Sequence, residues 1–173
     1  MSRPRPSRAR RKALVAAGAL ALALALSFVD WRPARPDGGA RLLGAFDVRE
    51  ALVAGAARVS SVPELPTTVA GYPPLRPTAT EAGPLDVRAL IVGSGGRRAA
   101  LVSVEALLVP DTLVARVRER AAALRLDALL LTATHTHSSF GGYDPHLLAE
   151  IAGTGRHDEE REAWLTGKVL EAL

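Results

Sequence analysis

The stretch Ala128-Leu129-Leu130-Leu131-Thr132-Ala133-Thr134-His135-Thr136-His137-Ser138-Ser139 decides how this chain is read. Its first six residues are apolar or small and do not alternate with polar ones. That pattern is expected of a strand over 128–133 buried on both faces. Two imidazoles follow at its carboxyl end. In an extended backbone, residues i and i+2 point to the same side, so His135 and His137 can share one pocket. Histidine is the commonest metal-ligating side chain and the usual proton carrier near neutral pH. Two of the chain's four histidines lie here, between Thr134, Thr136 and Ser138, with Gly141-Gly142-Tyr143 just beyond.

Working upstream, Val87–Val92 and Ala99–Val104 are β-prone runs around the turn Gly93-Ser94-Gly95-Gly96, the signature of a hairpin. Residues 111–124 place Leu113, Val114, Val117, Ala121 and Leu124 at helical spacing behind Pro110, a first-turn proline. Leu52–Val59 reads as a strand. Residues 60–84 carry Pro63, Pro66, Pro73, Pro74, Pro77 and Pro84, which exclude a helix and indicate a long irregular segment. Downstream, Asp144-Pro145 opens a short helix, and 158–173 reads as a longer amphipathic one. The order strand, strand, helix, strand, helix implies an α/β fold, a layered mixed sheet with flanking helices. Ligands gather beyond the carboxyl ends of strands in such sheets, where the histidines lie. No internal repeat is present.

The N-terminus is of another kind. Arg3, Arg5, Arg8, Arg10, Arg11 and Lys12 precede an uncharged apolar run, Ala13–Val29. A basic cluster before an apolar run is the pattern of a secretory signal or an uncleaved signal anchor. As a helix the run would span roughly 25 Å, just short of a ~30 Å bilayer core, so both readings stand. Trp31 sits where an interfacial aromatic would. The expected organisation is a signal peptide or membrane anchor over 1–29, a Pro/Gly-rich linker over 30–50, and an exported domain over 51–173.

Composition narrows the function. A chain of 173 residues suits one domain of ordinary size. There are no cysteines, so disulfides and thiolate metal sites are excluded. Any metal must be held by nitrogen and oxygen. Setting aside the six basic residues of the first twelve leaves 16 Lys and Arg against 18 Asp and Glu, a balance of −2. No nucleic-acid partner is expected of such a body.

Catalytic zinc takes three protein ligands and keeps a fourth position open. His135 and His137 supply two at most. His146 and His157 lie downstream behind helix or loop signals and read as exposed. Glu105 ends the strand before the helix and either orients an imidazole from the same rim or is a solvated carboxylate. Asp144 reads as a helix cap. Gly141-Gly142 either brings backbone N–H groups to a substrate oxygen or is only a turn.

Thr132-Ala133-Thr134-His135-Thr136-His137-Ser138 with Gly141-Gly142-Tyr143 closely resembles the signature of the neutral/alkaline (non-lysosomal) ceramidases. Gly55–Val59 with Pro63 and Ala70-Gly71-Tyr72, then Asp86–Val92 with Arg88, then Ala100–Glu105, resemble the family's upstream segments in order. The resemblance covers about residues 52–173. It implies zinc-dependent cleavage of the N-acyl bond of ceramide, with His135 as zinc ligand and His137 as the group that binds or polarises substrate. Thr134, Ser138, Gly141, Gly142, Tyr143, Glu105 and Arg88 would surround them. A lipid substrate and attachment to a membrane through the N-terminal helix are implied with it. Three departures stand out: Ser139-Phe140 replaces the family's Gly-Pro, Glu105 stands where aspartate is commoner, and the family's domain is far longer. Its remaining metal ligands (a second His, a Glu and a Tyr) and its active-site serine lie downstream, which makes this chain the N-terminal portion of an incomplete domain. The alternatives are a non-catalytic exported domain that binds lipid or a partner, and a metal hydrolase acting on another amide or ester.

Overall fold

The computed structural model describes residues 8–27, 50–72, 77–81 and 83–173. It divides into two compact units, Met1–Ala45 and Phe46–Leu173. In the first, helix α1 spans Arg8–Ser27. Its N-terminal end carries Arg8, Arg10, Arg11 and Lys12, so the apolar part is shorter than the ~20 residues a span requires. Among the described residues no helix is long and apolar enough to cross a membrane. The expected linker over 30–50 falls, but for Glu50, outside the described residues.

The second unit is built on β1 (Val53–Ser60), β4 (Asp86–Ser94), β5 (Arg97–Val104) and β6 (Ala128–Ala133), in the spatial order β1-β4-β5-β6. A small ribbon, β2 (Thr67–Thr68) with β3 (Thr78–Ala79), lies inside the Pro-rich segment. Helices α2 (Asp111–Arg120), α3 (Leu147–Ala152) and α4 (Glu159–Ala172) complete it. The β4–β5 hairpin turns at Gly95 and Gly96, whose φ values of 57° and 78° suit only glycine without strain. β1 pairs antiparallel with β4, whereas β6 pairs parallel with β5 after the α2 crossover. The sheet is therefore mixed, as the element order implies.

One face of the sheet is the core. Val87, Val102 and Val104 from the strands, Leu113 and Val117 from α2, and Leu165 and Val169 from α4 are almost wholly buried. Each contributes roughly 1.5–3 kcal/mol by leaving water. Asp158 caps α4, its carboxylate accepting from the N–H groups of Glu160 and Arg161. The helix expected over 111–124 stops at Arg120 and continues as one 3-10 turn, Ala122–Leu124.

The other face differs from expectation. β6 is an edge strand that alternates exposed and half-buried residues instead of being enclosed. The reason is that the helices of this unit pack on the opposite face, α4 against β1 and β4 and α2 against α4. Leu90, Leu101 and Leu130 stand in register across three strands at 42%, 46% and 57% exposure.

Candidate functional site

The loop after β6 carries both histidines, though not by the pleat that strand alternation implies. The strand ends at Ala133, and His135 has φ 59°, in the left-handed region. Such a residue costs about 1–3 kcal/mol and persists only where its surroundings fix it. Two backbone bonds fix this one: Thr134 N–H donates to the Val104 carbonyl and Thr136 N–H to that of Ala106. The kink still leaves the two rings together. Their centroids are 5.4 Å apart, nearly perpendicular, and Tyr72 meets the His137 ring edge-on at 5.6 Å.

Hydrogen bonding places a proton on Nδ1 of both rings. His135 Nδ1 lies 2.7 Å from the carbonyl oxygen of Leu107, and His137 Nδ1 lies 3.1 Å from that of Gly71. A carbonyl only accepts, so each Nδ1 carries a proton, and in the neutral imidazole the Nε2 is then the atom with the lone pair. That is how proteins orient imidazoles for metal binding. The donor set is thus right in kind for zinc, although two nitrogens fall short of three ligands. Among the described residues no group of three or more His, Asp or Glu is placed to hold a metal ion.

Beside His137 opens a cleft of about 450 Å³, with Val69, Tyr72, Pro77, Leu85 and Phe140 among its walls and Glu81 as its carboxylate. Ser138 also lines it. Gly71 (φ 88°) forms the contact beneath the ring, since a Cβ there would sit 2.3 Å from His137 Nδ1. A side chain at this position would have to displace the His137 ring, besides being strained at this φ.

The remaining site candidates lie elsewhere or serve other ends. Glu105 does not reach His135. Its carboxylate accepts from Arg88 Nη1 at 2.6 Å and from the Asp86 N–H at 2.8 Å. Arg88 in turn reaches Asp86 at 2.8 Å, so both belong to an ion-pair cluster at the strand ends. The amides of Gly141 and Gly142 are already spent on the carbonyls of Thr68 and Thr154, which removes them as donors to a substrate oxygen. Thr134 is exposed at the start of the loop. Tyr143 is buried among Phe140 and the core, not at a substrate surface.

His146 and His157 do not join the pair. His157 Nε2 lies 2.9 Å from the fully buried carboxylate of Glu162, which also has Arg116 Nε at 3.1 Å without hydrogen-bond alignment. His146 Nδ1 bonds Asp144 at 2.6 Å, while its Nε2 lies 3.4 Å from Asp111. Asp144 also accepts from the His146 N–H, but it is not the expected cap: His146 holds the N-cap position of α3 and no side chain caps that helix.

The hydrogen bond to Asp144 and then its charge raise the His146 pKa, against desolvation, with Asp111 adding a smaller push. A raised pKa in the folded state stabilises it fully below the unfolded value of ~6.5 and loses that effect as pH rises through the folded value. The melting temperature of His146→Gln should therefore lie below wild type at about pH 5 and meet it above the folded pKa. A gap that widens with pH would contradict this.

No family model matches the chain, and no curated protein matches it in sequence. Solved structures do match. The neutral ceramidase from Pseudomonas aeruginosa superposes with a TM-score of 0.62 at 17% identity, covering 71% of this chain and 21% of that one. A ceramidase complexed with C2 gives 0.60 at 17% identity, over 72% and 20%. The fold is ceramidase-like. The chain spans about a fifth of the length of these ceramidases.

Within this ceramidase-like unit, sequence reasoning missed the groups that orient the histidines. Both are main-chain carbonyls, of Leu107 and Gly71, and a carbonyl leaves no side-chain signal. Tyr72 carried a weak one, as an aromatic behind glycine in the connection between β2 and β3.

Proposed function

We propose that this chain carries part of a zinc-dependent amidohydrolase site acting on ceramide or a related lipid amide. His135 is the zinc ligand, and His137 is the neighbouring group that binds or polarises the substrate. The observation that supports this most is the paired geometry: two adjacent imidazoles, each with Nδ1 held by a main-chain carbonyl, which in the neutral ring leaves Nε2 as the ligating atom. When bound, zinc supplies Lewis acidity toward an amide carbonyl and a water acidified to near neutral pH. The apolar cleft beside His137 suits an alkyl chain lying against Tyr72 and Phe140. α1 behind its basic cluster supports export, with attachment to a membrane surface as its further use.

A second reading has its own support. Because the described residues hold no third ligand, this chain by itself suits a non-catalytic exported domain that binds lipid through the same cleft. One pair of measurements separates the two. Added zinc should shift the imidazole NMR signals of His135 and His137 together and leave those of His146 unmoved. An unresponsive His135 sinks the metal reading. Fatty-acid release from a short-chain ceramide by the 173-residue chain would overturn the second reading.

A further inference from the structure

We infer that Tyr143 is a positioning residue for His135, acting through the single peptide group that joins Leu107 to Leu108. The inference rests on the reading of His135 as a metal ligand and names what holds that ligand in register. The phenol oxygen of Tyr143 accepts from the N–H of Leu108 at 3.3 Å. The carbonyl of Leu107 accepts from His135 Nδ1 at 2.7 Å. That N–H and that carbonyl belong to the same planar unit, which is rigid about its C–N bond and points them in opposite directions. One plane is thus gripped at both ends, by the phenol on the core side and the imidazole on the site side. It cannot turn to release one bond without disturbing the other.

The surroundings favour such a role. Tyr143 is fully buried, with its ring 5.6 Å from Phe140, so the phenol oxygen has no freedom to wander. Burial pushes its ionisation up to about 12, against the pull of the Leu108 and Leu107 backbone, which keeps it a neutral phenol across the physiological range. Residues 105–110 otherwise form no regular element, so the segment needs an anchor of its own. Leu107 is itself 5% exposed, which sets its side chain in the core while its carbonyl faces the loop. Hydrogen bonds in a chain polarise one another, so a donor at Leu108 N–H also makes the Leu107 oxygen a better acceptor.

The test is Tyr143→Phe, which keeps the ring and removes the oxygen, read on the full chain without metal. Long-range proton–nitrogen spectra of the imidazoles report which ring nitrogen carries the proton. Wild type should show His135 and His137 both as the Nδ1–H tautomer. In Tyr143→Phe, the Nε2–H tautomer of His135 should gain roughly two- to tenfold in population, the worth of one neutral hydrogen bond, with His137 unchanged. Val169→Ala, which loosens the same buried core from α4 and keeps the phenol oxygen, should leave the His135 tautomer as in wild type. Equal His135 spectra in wild type and a folded Tyr143→Phe would overturn the inference, as would a change in Val169→Ala of the same size. If Tyr143→Phe does not fold, amide exchange in wild type decides: a Leu108 N–H protected as well as those of α2 upholds the clamp, and an unprotected one overturns it. A wild-type tautomer as expected but unmoved by zinc would defeat the metal reading and leave the clamp intact.

Discussion

Gly141→Ala should cost about 3 kcal/mol or more of stability, the upper end of what overpacking does. A Cβ at this position would lie 1.8 Å from the carbonyl oxygen of Thr154 and 2.9 Å from its carbon. The obstacle is backbone, so no rotamer change relieves it. Nor can the backbone retreat easily. Gly141 N–H donates to Thr68 and Gly142 N–H to Thr154, both at 2.8 Å, which clamps this strand of loop between the β2 segment and the turn after α3. The preceding residue, Phe140, is buried with its ring 5.3 Å from that of Trp164. Any shift that makes room for the methyl group must disturb one of these contacts. Gly55→Ala is the control, because its Cβ would meet nothing within 4 Å and alanine removes some of glycine's entropy loss. Urea unfolding should rank Gly55→Ala at or above wild type and Gly141→Ala far below it. A Gly141→Ala midpoint equal to wild type would show that the close approach is not there.

The same position shows what the sequence conceals. Gly141-Gly142 reads as a turn or as a pair of donors for substrate, and the choice depends on partners at Thr68 and Thr154 that no local pattern announces. The elements with their own periodicity were legible. The β4–β5 hairpin, α2 and α4 stand where β-prone runs around a glycine turn and amphipathic helical patterns put them. The order of elements also gave the mixed sheet, since β6 follows a helix and so lies parallel to β5. The ribbon of β2 and β3 has two residues a side, too short to carry a pattern. The uninterrupted apolar run of β6 predicts burial on both faces, yet Leu130 is exposed and nothing in the described residues covers it. Hydrophobicity reports what a face prefers to contact, and one chain does not show whether that contact is present.

The site was legible as a pair of residues and opaque as an arrangement. The i, i+2 rule put His135 and His137 together, and they are together, but through a left-handed kink at His135 that the rule does not contain. His137's partner, Gly71, lies 66 positions away in sequence. Glu105 looked placed to orient an imidazole because it ends β5 at the same rim, but Arg88 and the Asp86 amide claim it. A carboxylate at a strand end goes to the nearest strong donor, and here that donor is an arginine on the neighbouring strand.

His135→Ala should abolish the zinc response of the pair. In a longer ceramidase-type chain that supplies the remaining ligands, it should lower amidase activity by more than the roughly 10–100-fold that loss of a ligand's orienting partner costs. Alanine alone would be an ambiguous test. His135 sits at φ 59°, and an ordinary L-residue held there costs about 1–2 kcal/mol, so part of any loss could come from the backbone. Asparagine visits this region more readily than alanine and lacks an imidazole. His135→Asn should therefore keep the loop and its stability while losing zinc, and His135→Ala should lose both. Calorimetric zinc titration beside thermal unfolding of the two variants reads the difference. If His135→Asn binds zinc as wild type does, His135 is no ligand, and its strained backbone serves only to turn the chain from β6 into the loop.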